Sequence, residues 1–192
     1  IIKECIAMRK NFGVKSWFYP QPVLIIATYD ENGNPDAMNA AWGGLYDGNK
    51  VELCLSAGHK TTKNIRAVGA FTVSFADAAN LVASDYVGLA SANTEPKKME
   101  KSGFHLTKSQ FVNAPLIDEL PVAMECKLVK INEDGNVIGE IVNVSADESV
   151  LGEDGNIDFS KFRPISFEPV HNGYHVLGQR VGNAFQDGAA LK

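Results

Sequence analysis

The chain has 192 residues, of which 45% are hydrophobic and 21% charged, and it carries a formal net charge of −5. This length is close to that of one domain and allows a substantial core, so residues 1–192 are predicted to form a single domain. The acidic balance excludes a general positive field that would attract nucleic acid or an anionic membrane. No apolar run approaches the length of a membrane span, so we expect neither a nucleic-acid nor a membrane partner.

The cysteines and the first residues of the chain indicate the cellular compartment in which the protein is expected. Cys5, Cys54 and Cys126 are widely spaced and form no CxxC pair, so neither a disulfide framework nor a zinc site is predicted. Cys54 and Cys126 lie in apolar, strand-like runs and are predicted to be buried, inert thiols. Residues 1–4 show no basic region followed by a long apolar stretch, so no signal peptide is predicted. These features favour a soluble protein of the reducing cytoplasm.

Short apolar runs rich in β-branched residues predict strands in the N-terminal half. Residues 22–29 are predicted to form a central strand, and the Asn-Gly pair that follows predicts a tight turn because both residues tolerate positive φ. The chain is then expected to return through residues 36–42. Further strands are predicted at residues 50–55 and 70–75.

Helix signals lie between and after those last two strands. A short helix is predicted to begin with Thr61 or Thr62 as its N-cap and to end at Gly69. Asp77 is predicted to cap a second helix, and residues 95–100 to begin a third. The helices are expected to lie across one end of a barrel.

The C-terminal half adds a long hairpin and a last strand. Residues 121–131 and 137–145 flank a Glu-Asp-Gly-Asn turn, and residues 174–178 are predicted to add a last strand after a segment at 164–169 that is expected to run extended over the surface. Strands joined by tight turns, with a few short helices, predict a mostly β antiparallel barrel. No G-x-G-x-x-G turn follows the first strand, so a dinucleotide fold is not expected.

A candidate anion site lies at residues 55–65. A strand ends there, a loop of small residues exposes backbone N–H groups, and a helix begins with Lys60, Thr61 and Thr62. Backbone donors, the positive end of the helix dipole, an ammonium and two hydroxyls together favour a dianionic phosphate. The alternative is that a threonine merely caps the helix while Lys60 and Lys63 are solvated.

A candidate surface for a flat ligand lies at Asn39, Ala40, Ala41 and Trp42, which precede two glycines. Small residues let a planar ring approach the backbone, strand amides donate to ring carbonyls, and Trp42 offers a π-face. The alternative is a tight sheet corner with Trp42 in the core.

Other chemistry has little support in the sequence. The four histidines are scattered without a metal-binding spacing. A G-x-S-x-G motif is absent, so hydrolase chemistry is not expected.

Three separated stretches together resemble a known family. Residues 20–44, the loop at 56–65, and Val-Ile-Gly-Glu-Ile-Val at 137–142 are similar, in this order, to the flavin reductase-like FMN-binding split-barrel proteins, and above all to their flavoredoxin branch. The similarity extends to residues 174–180 and covers most of the chain. It implies a six-stranded Greek-key split barrel, a homodimer, and FMN near the subunit interface.

The resemblance also implies which residues bind the cofactor. The segment at residues 39–42 would run along the isoalloxazine and ribityl chain, and the segment at 56–62 would hold the phosphate. The FMN-binding residues expected on both grounds are Asn39, Ala40, Ala41, Trp42, Leu55, Ser56, His59, Lys60, Thr61 and Thr62. No catalytic side chain is predicted, because the isoalloxazine performs the redox chemistry.

Three functions stay open at this point. The first is electron transfer of the flavoredoxin type, with electrons accepted from another redox protein. The second is an enzyme that oxidises NADH or NADPH and supplies reduced flavin to a partner such as a flavin-dependent oxygenase. Many such members carry Gly-Asp-His where this chain has Glu-Asp-Gly-Asn at residues 133–136, which disfavours direct nicotinamide oxidation. The third is a non-enzymatic flavin or haem binding module.

Overall fold

A computed structural model describes residues 9–192, and Cys5 lies outside the described residues. The strands are β1 (Gln21–Pro22), β2 (Leu24–Tyr29), β3 (Pro35–Ala40), β4 (Gly43–Asp47), β5 (Lys50–Leu53), β6 (Ala70–Phe75), β7 (Leu106–Lys108), β8 (Pro115–Ile117), β9 (Val122–Ile131), β10 (Val137–Ala146), β11 (Ile165–Glu168) and β12 (Gly173–Val176). The α-helices are α1 (Lys60–Val68), α2 (Leu81–Leu89) and α3 (Lys98–Ser102), and short 3₁₀ helices span Glu148–Val150 and Asp187–Leu191.

The main sheet has seven strands in the order β3-β2-β6-β9-β10-β5-β4, and every neighbouring pair is antiparallel. The chain passes from β3 at one edge to β4 at the other, which gives the sheet its Greek-key order. The expected six strands become seven because β4 was not predicted. Four of its five residues are exposed, so it lacks the apolar alternation by which a half-buried strand is recognised.

One face of the sheet encloses the main core. Leu24 and Ile26 of β2 meet Leu53 of β5 and Phe71 of β6 there, and all four side chains are at most 3% exposed. Strands near both edges of the sheet contribute residues to this cluster, because the sheet curls on itself into a split barrel. Each such side chain contributes roughly 1.5–3 kcal/mol through burial.

The opposite face of the sheet is covered by helices and by the C-terminal strands. Val23 and Ile25 pack there with Val87 of α2 and Ile165 of β11, and β1, β11 and β12 form a separate small sheet. Of the α-helices in residues 9–192, α1 is the one that contributes to the enclosed core, through Ile65. Residues of α2 and α3 pack in the outer cluster, so the helices do not all share one side of the sheet, and their position across one end of the barrel stays a prediction.

Most of the predicted strands and both predicted hairpins are confirmed. The β2–β3 turn places Gly33 at φ 82°, as its Asn-Gly sequence predicts, and β9 pairs with β10 over their length. The segment at residues 164–169 is extended as expected, and most of it forms β11. Its expected course over the surface is wrong at Pro164 and Ile165, which are buried. None of the helices among residues 9–192 is long and apolar enough to cross a membrane.

Candidate functional site

The first turn of α1 presents backbone N–H donors without side-chain caps. The helix begins at Lys60 with His59 as its N-cap, and the His59 side chain makes no capping hydrogen bond to the described residues. The prediction that Thr61 or Thr62 is the N-cap is wrong, because both lie inside the first turn and are 1% exposed. The first N–H groups of a helix have no intrahelical acceptor, so this turn offers donors at the positive end of the dipole.

A buried ion pair fixes this turn against the sheet. The Thr61 hydroxyl donates to Oδ2 of Asp36 in β3 at 2.5 Å, and Nζ of Lys98 in α3 donates to Oδ1 of Asp36 at 3.2 Å. The Lys98 and Asp36 side chains are only 3% and 2% exposed. Sequence reasoning missed Lys98, because nothing in the local pattern distinguishes it from the neighbouring exposed Lys97. The pair places a buried ammonium beside the start of α1.

The Thr62 hydroxyl is a buried group without a partner. Its oxygen has no hydrogen-bond partner among residues 9–192. A buried hydroxyl left in this condition costs roughly 1–3 kcal/mol. A ligand oxygen at the start of α1 would remove that cost, so this orphaned group fits an anion held by the first turn.

The lysines and the preceding loop complete the candidate anion site. Nζ of Lys60 lies 3.4 Å from Oδ2 of Asp30 in the β2–β3 turn, so Lys60 is not simply solvated. Lys63 donates from an exposed position to Asn93. Ser56 and His59 are exposed in the loop, where the His59 amide donates to the Ser56 carbonyl at 3.1 Å.

The structure brings the two predicted stretches together. The Cys54 amide donates to the Trp42 carbonyl at 2.8 Å, and α1 packs on β3. Within the seven-stranded sheet β3 is an edge strand, so half of its backbone groups face away from β2, and no strand among residues 9–192 pairs with that side. Ala40 and Leu55 belong to the enclosed core, and only their backbones can reach a ligand at this edge.

Trp42 lies on the surface and not in the core, since it is 59% exposed. The structural alternative of a core tryptophan is therefore wrong. Ala41 and Trp42 line a cavity of about 370 Å³, together with Phe18, Cys54 and Asn136. This volume falls within the range of small-molecule pockets, and the indole supplies an aromatic wall.

Asn39 occupies a different position from its neighbours. It pairs with Ile25, so its side chain points to the outer face, where Nδ2 donates to the Ser84 carbonyl of α2 at 3.0 Å. Contact between Asn39 and a ligand at the open edge of β3 is thus limited to the backbone.

The two described cysteines differ in their exposure to solvent. Cys126 is buried as predicted, and burial first and Glu125 second raise its pKa to about 12. Cys54 was also predicted to be buried, but it is exposed and lines the cavity. Partial burial and then the Glu52 carboxylate raise the pKa of Cys54.

A curled antiparallel sheet, on whose edge strand β3 the helix α1 packs, defines a split-barrel protein. The start of α1 is a candidate surface for an anion and the cavity at Trp42 one for a flat ring, and none of residues 55–62 is among the residues that line that cavity. In agreement with this class, the sequence profile of the family described as "Flavin reductase like domain" matches residues 16–166. The chain belongs to the flavin reductase-like split-barrel family, in its flavoredoxin branch.

Individual proteins show the same similarity. Flavoredoxin of Desulfovibrio vulgaris (Miyazaki F) is 34% identical, with a TM-score of 0.90 over 94% of this chain and 100% of that one. Flavoredoxin from Methanosarcina acetivorans is 26% identical, with a TM-score of 0.87 over 97% of this chain and 100% of that one. An uncharacterized protein of Aquifex aeolicus (strain VF5) is 35% identical over 74 residues, which are 37% of this chain and 38% of that protein.

Proposed function

We propose that this protein binds FMN non-covalently and transfers electrons in the manner of a flavoredoxin. The observation that carries the proposal is the first turn of α1, which has no side-chain cap and contains the buried Thr62 hydroxyl, without a partner among residues 9–192. A phosphate supplies several acceptor oxygens and a negative charge, which suit these donors and the helix dipole. The similarity to two flavoredoxins over nearly the whole chain supports the same assignment.

Each part of the site then has a role. The backbone of residues 60–62, the Thr62 hydroxyl and the Lys60 ammonium would hold the phosphate, while Asp36 holds Thr61 and so the orientation of the turn. The open edge of β3 and the Ala41 backbone would position the ring, with Trp42 beside it. Bound FMN supplies the redox chemistry. The chain then has to bind and orient it, and no general acid or base is required.

Asn136 favours the electron carrier over a nicotinamide-oxidising reductase. It lines the cavity and donates from Nδ2 to Oε1 of Glu52 at 2.8 Å. This is the turn in which many NAD(P)H-dependent members resembling this chain have a histidine. A flavin reductase that serves an oxygenase stays the second candidate because of the family itself. Haem binding has less support, since no histidine of the described chain lines the cavity.

We further infer a cytoplasmic homodimer that exchanges electrons with another redox protein. Support for the dimer comes from β4, an open edge strand on which Leu45 is 76% and Tyr46 51% exposed, next to the exposed Trp42. Open apolar edges of this kind are normally covered. Light scattering coupled to size-exclusion chromatography tests this, and a monomer at micromolar concentration would contradict it.

The proposal is tested by a visible spectrum of the purified protein after FMN loading and desalting, followed by anaerobic NADH and NADPH. Retained flavin that neither nucleotide bleaches supports the carrier. Retained flavin that bleaches promptly supports the reductase. If no flavin is retained, the proposal of a tightly bound FMN is wrong.

Thr62→Val separates ligand binding from folding. Without FMN the variant is expected to be as stable as the wild type or more stable, because a buried unpaired hydroxyl is replaced by a methyl group of similar shape. FMN affinity is expected to fall by about ten- to a hundredfold, the worth of one hydrogen bond to a charged group. Equal FMN affinity would remove Thr62 from the phosphate site.

A charge reversal tests Lys60 against a matched control. Lys60→Glu is expected to weaken FMN binding sharply, whereas Lys63→Glu, on the same helix but directed at Asn93, should change it little. Both variants alter the net charge equally, so the comparison removes general electrostatic effects. Similar affinities for the two variants would exclude a specific contact from Lys60.

A further inference from the structure

Behind the edge of β3, helix α2 is hydrogen-bonded both to the C-terminal strand β12 and to Asn39 of β3. The Tyr174 hydroxyl of β12 donates to Oδ1 of Asp85 in α2 at 2.7 Å. Burial first, and the bond to Asp85 second, raise the pKa of Tyr174 to about 12. Ser84, which accepts from Asn39, is adjacent to Asp85 in α2, so the helix connects Tyr174 to Asn39.

The packing around Asn39 leaves it little freedom. Its Nδ2 donates to the Ser84 carbonyl, and a Cβ added at Gly88 would lie 2.9 Å from the Asn39 Cβ. Helix and strand thus approach at Gly88 more closely than any larger residue allows. The Tyr174 ring is held from its other side by Phe167, at a centroid distance of 6.0 Å.

Asn39 is also the residue from which the proposed flavin edge begins. Ala40 follows it in β3, and Ala41 and Trp42 line the cavity. An edge strand has a ladder partner on one side only, so contacts on its face have to set its position. The Asn39 side chain is a polar contact through which α2, itself bonded to Tyr174 of β12, reaches this edge.

We propose that Tyr174 and Asp85 are positioning residues, which hold the flavin-binding edge of β3 in place through the Asn39 side chain. The inference rests on the proposed function and adds the C-terminal strand to the flavin site. Neither residue touches the flavin. Their removal changes the bound flavin because the backbone of residues 40–42 shifts relative to the ring.

The test is a double-mutant cycle on FMN affinity. Tyr174→Phe keeps the ring and removes the hydroxyl, and is expected to weaken FMN binding about tenfold, as the loss of one charged hydrogen bond allows. Asp85→Ala, a change compatible with helix, should have a similar effect. In an Asn39→Ala background, Tyr174→Phe should change affinity by about twofold or less. Tyr86→Phe, the next position of α2, is the matched control and should match wild type.

A second readout separates positioning from a general loss of stability. With FMN at saturation, the visible absorption bands of the flavin should shift in Tyr174→Phe and not in Tyr86→Phe. Additive effects of Tyr174→Phe and Asn39→Ala, or wild-type affinity and spectrum in Tyr174→Phe, would overturn the inference while the FMN site stands. Failure of the wild-type protein to bind FMN would instead overturn the proposed function and this inference together.

Discussion

Replacing the buried Lys98 with methionine is expected to destabilise the protein by about 3–5 kcal/mol, because Asp36 is left charged and buried. Both side chains are at most 3% exposed and their charged atoms lie 3.2 Å apart. At an effective dielectric constant of about 20, two unit charges at that distance attract by about 5 kcal/mol. In this variant the Thr61 hydroxyl still donates to Asp36, so the loss of stability should lie toward the lower end of that range.

Equilibrium unfolding in urea measures this free energy. Lys101→Met is the control, since Lys101 pairs with Glu95 at the surface and is 53% exposed, and its unfolding midpoint should not move measurably. Asp36→Asn combined with Lys98→Met should recover a large part of the loss, because no buried charge remains and the amide still accepts from Thr61. A loss below about 1 kcal/mol in Lys98→Met would refute the argument that this pair is desolvated.

Three further predictions concern the cavity, the core and pH. Bound FMN should slow alkylation of Cys54, which lines the cavity, and peptide mass mapping that finds no protection would place the ligand elsewhere. Gly139→Ala should lower the free energy of unfolding by about 1–3 kcal/mol, because its Cβ would lie 2.3 Å from the Phe71 ring; unchanged denaturation would contradict the packing. The hydrogen bond to Glu119 raises the pKa of His105 above 6.5, and hydrogen bonds from His105 lower that of Glu119 below 4.5 against its burial. The ion pair should therefore contribute its full stabilisation between pH 4.5 and 6.5, and this contribution should fall as the pH rises through the pKa of His105 in the folded protein. If His105→Ala and the wild type differed in free energy of unfolding by the same amount at pH 6 and pH 9, this prediction would be disproved.

The strands that the sequence predicts well are those that are almost entirely buried, such as β2 and β6. Residues 22–29 and 70–75 alternate or run apolar because they pack in the core, and their turns carry explicit glycine signals. The strand β4 has exposed residues on both faces, so its pairing with β5 leaves no hydrophobic period to detect. Strands β7 and β8 have three residues each, too few for any period.

The candidate site shows the same division between local and tertiary information. The start of α1 and the small residues near Trp42 were found because helix starts and strand ends have local signatures. The pairing of Lys98 with Asp36 joins positions 62 residues apart, and Tyr174 reaches Asp85 across 89 residues. A single sequence carries no pattern that connects such distant side chains. The exposure of Cys54, within an apolar run, likewise depends on the curl of the sheet.

The most direct test of the account compares FMN with riboflavin by isothermal titration calorimetry at low ionic strength. The two ligands share the ring and ribityl chain and differ in the phosphate alone. If the start of α1 holds the phosphate, FMN should bind at least about tenfold more tightly than riboflavin, and Thr62→Val should reduce that preference. Equal affinity for the two ligands, or binding of neither, would contradict the account.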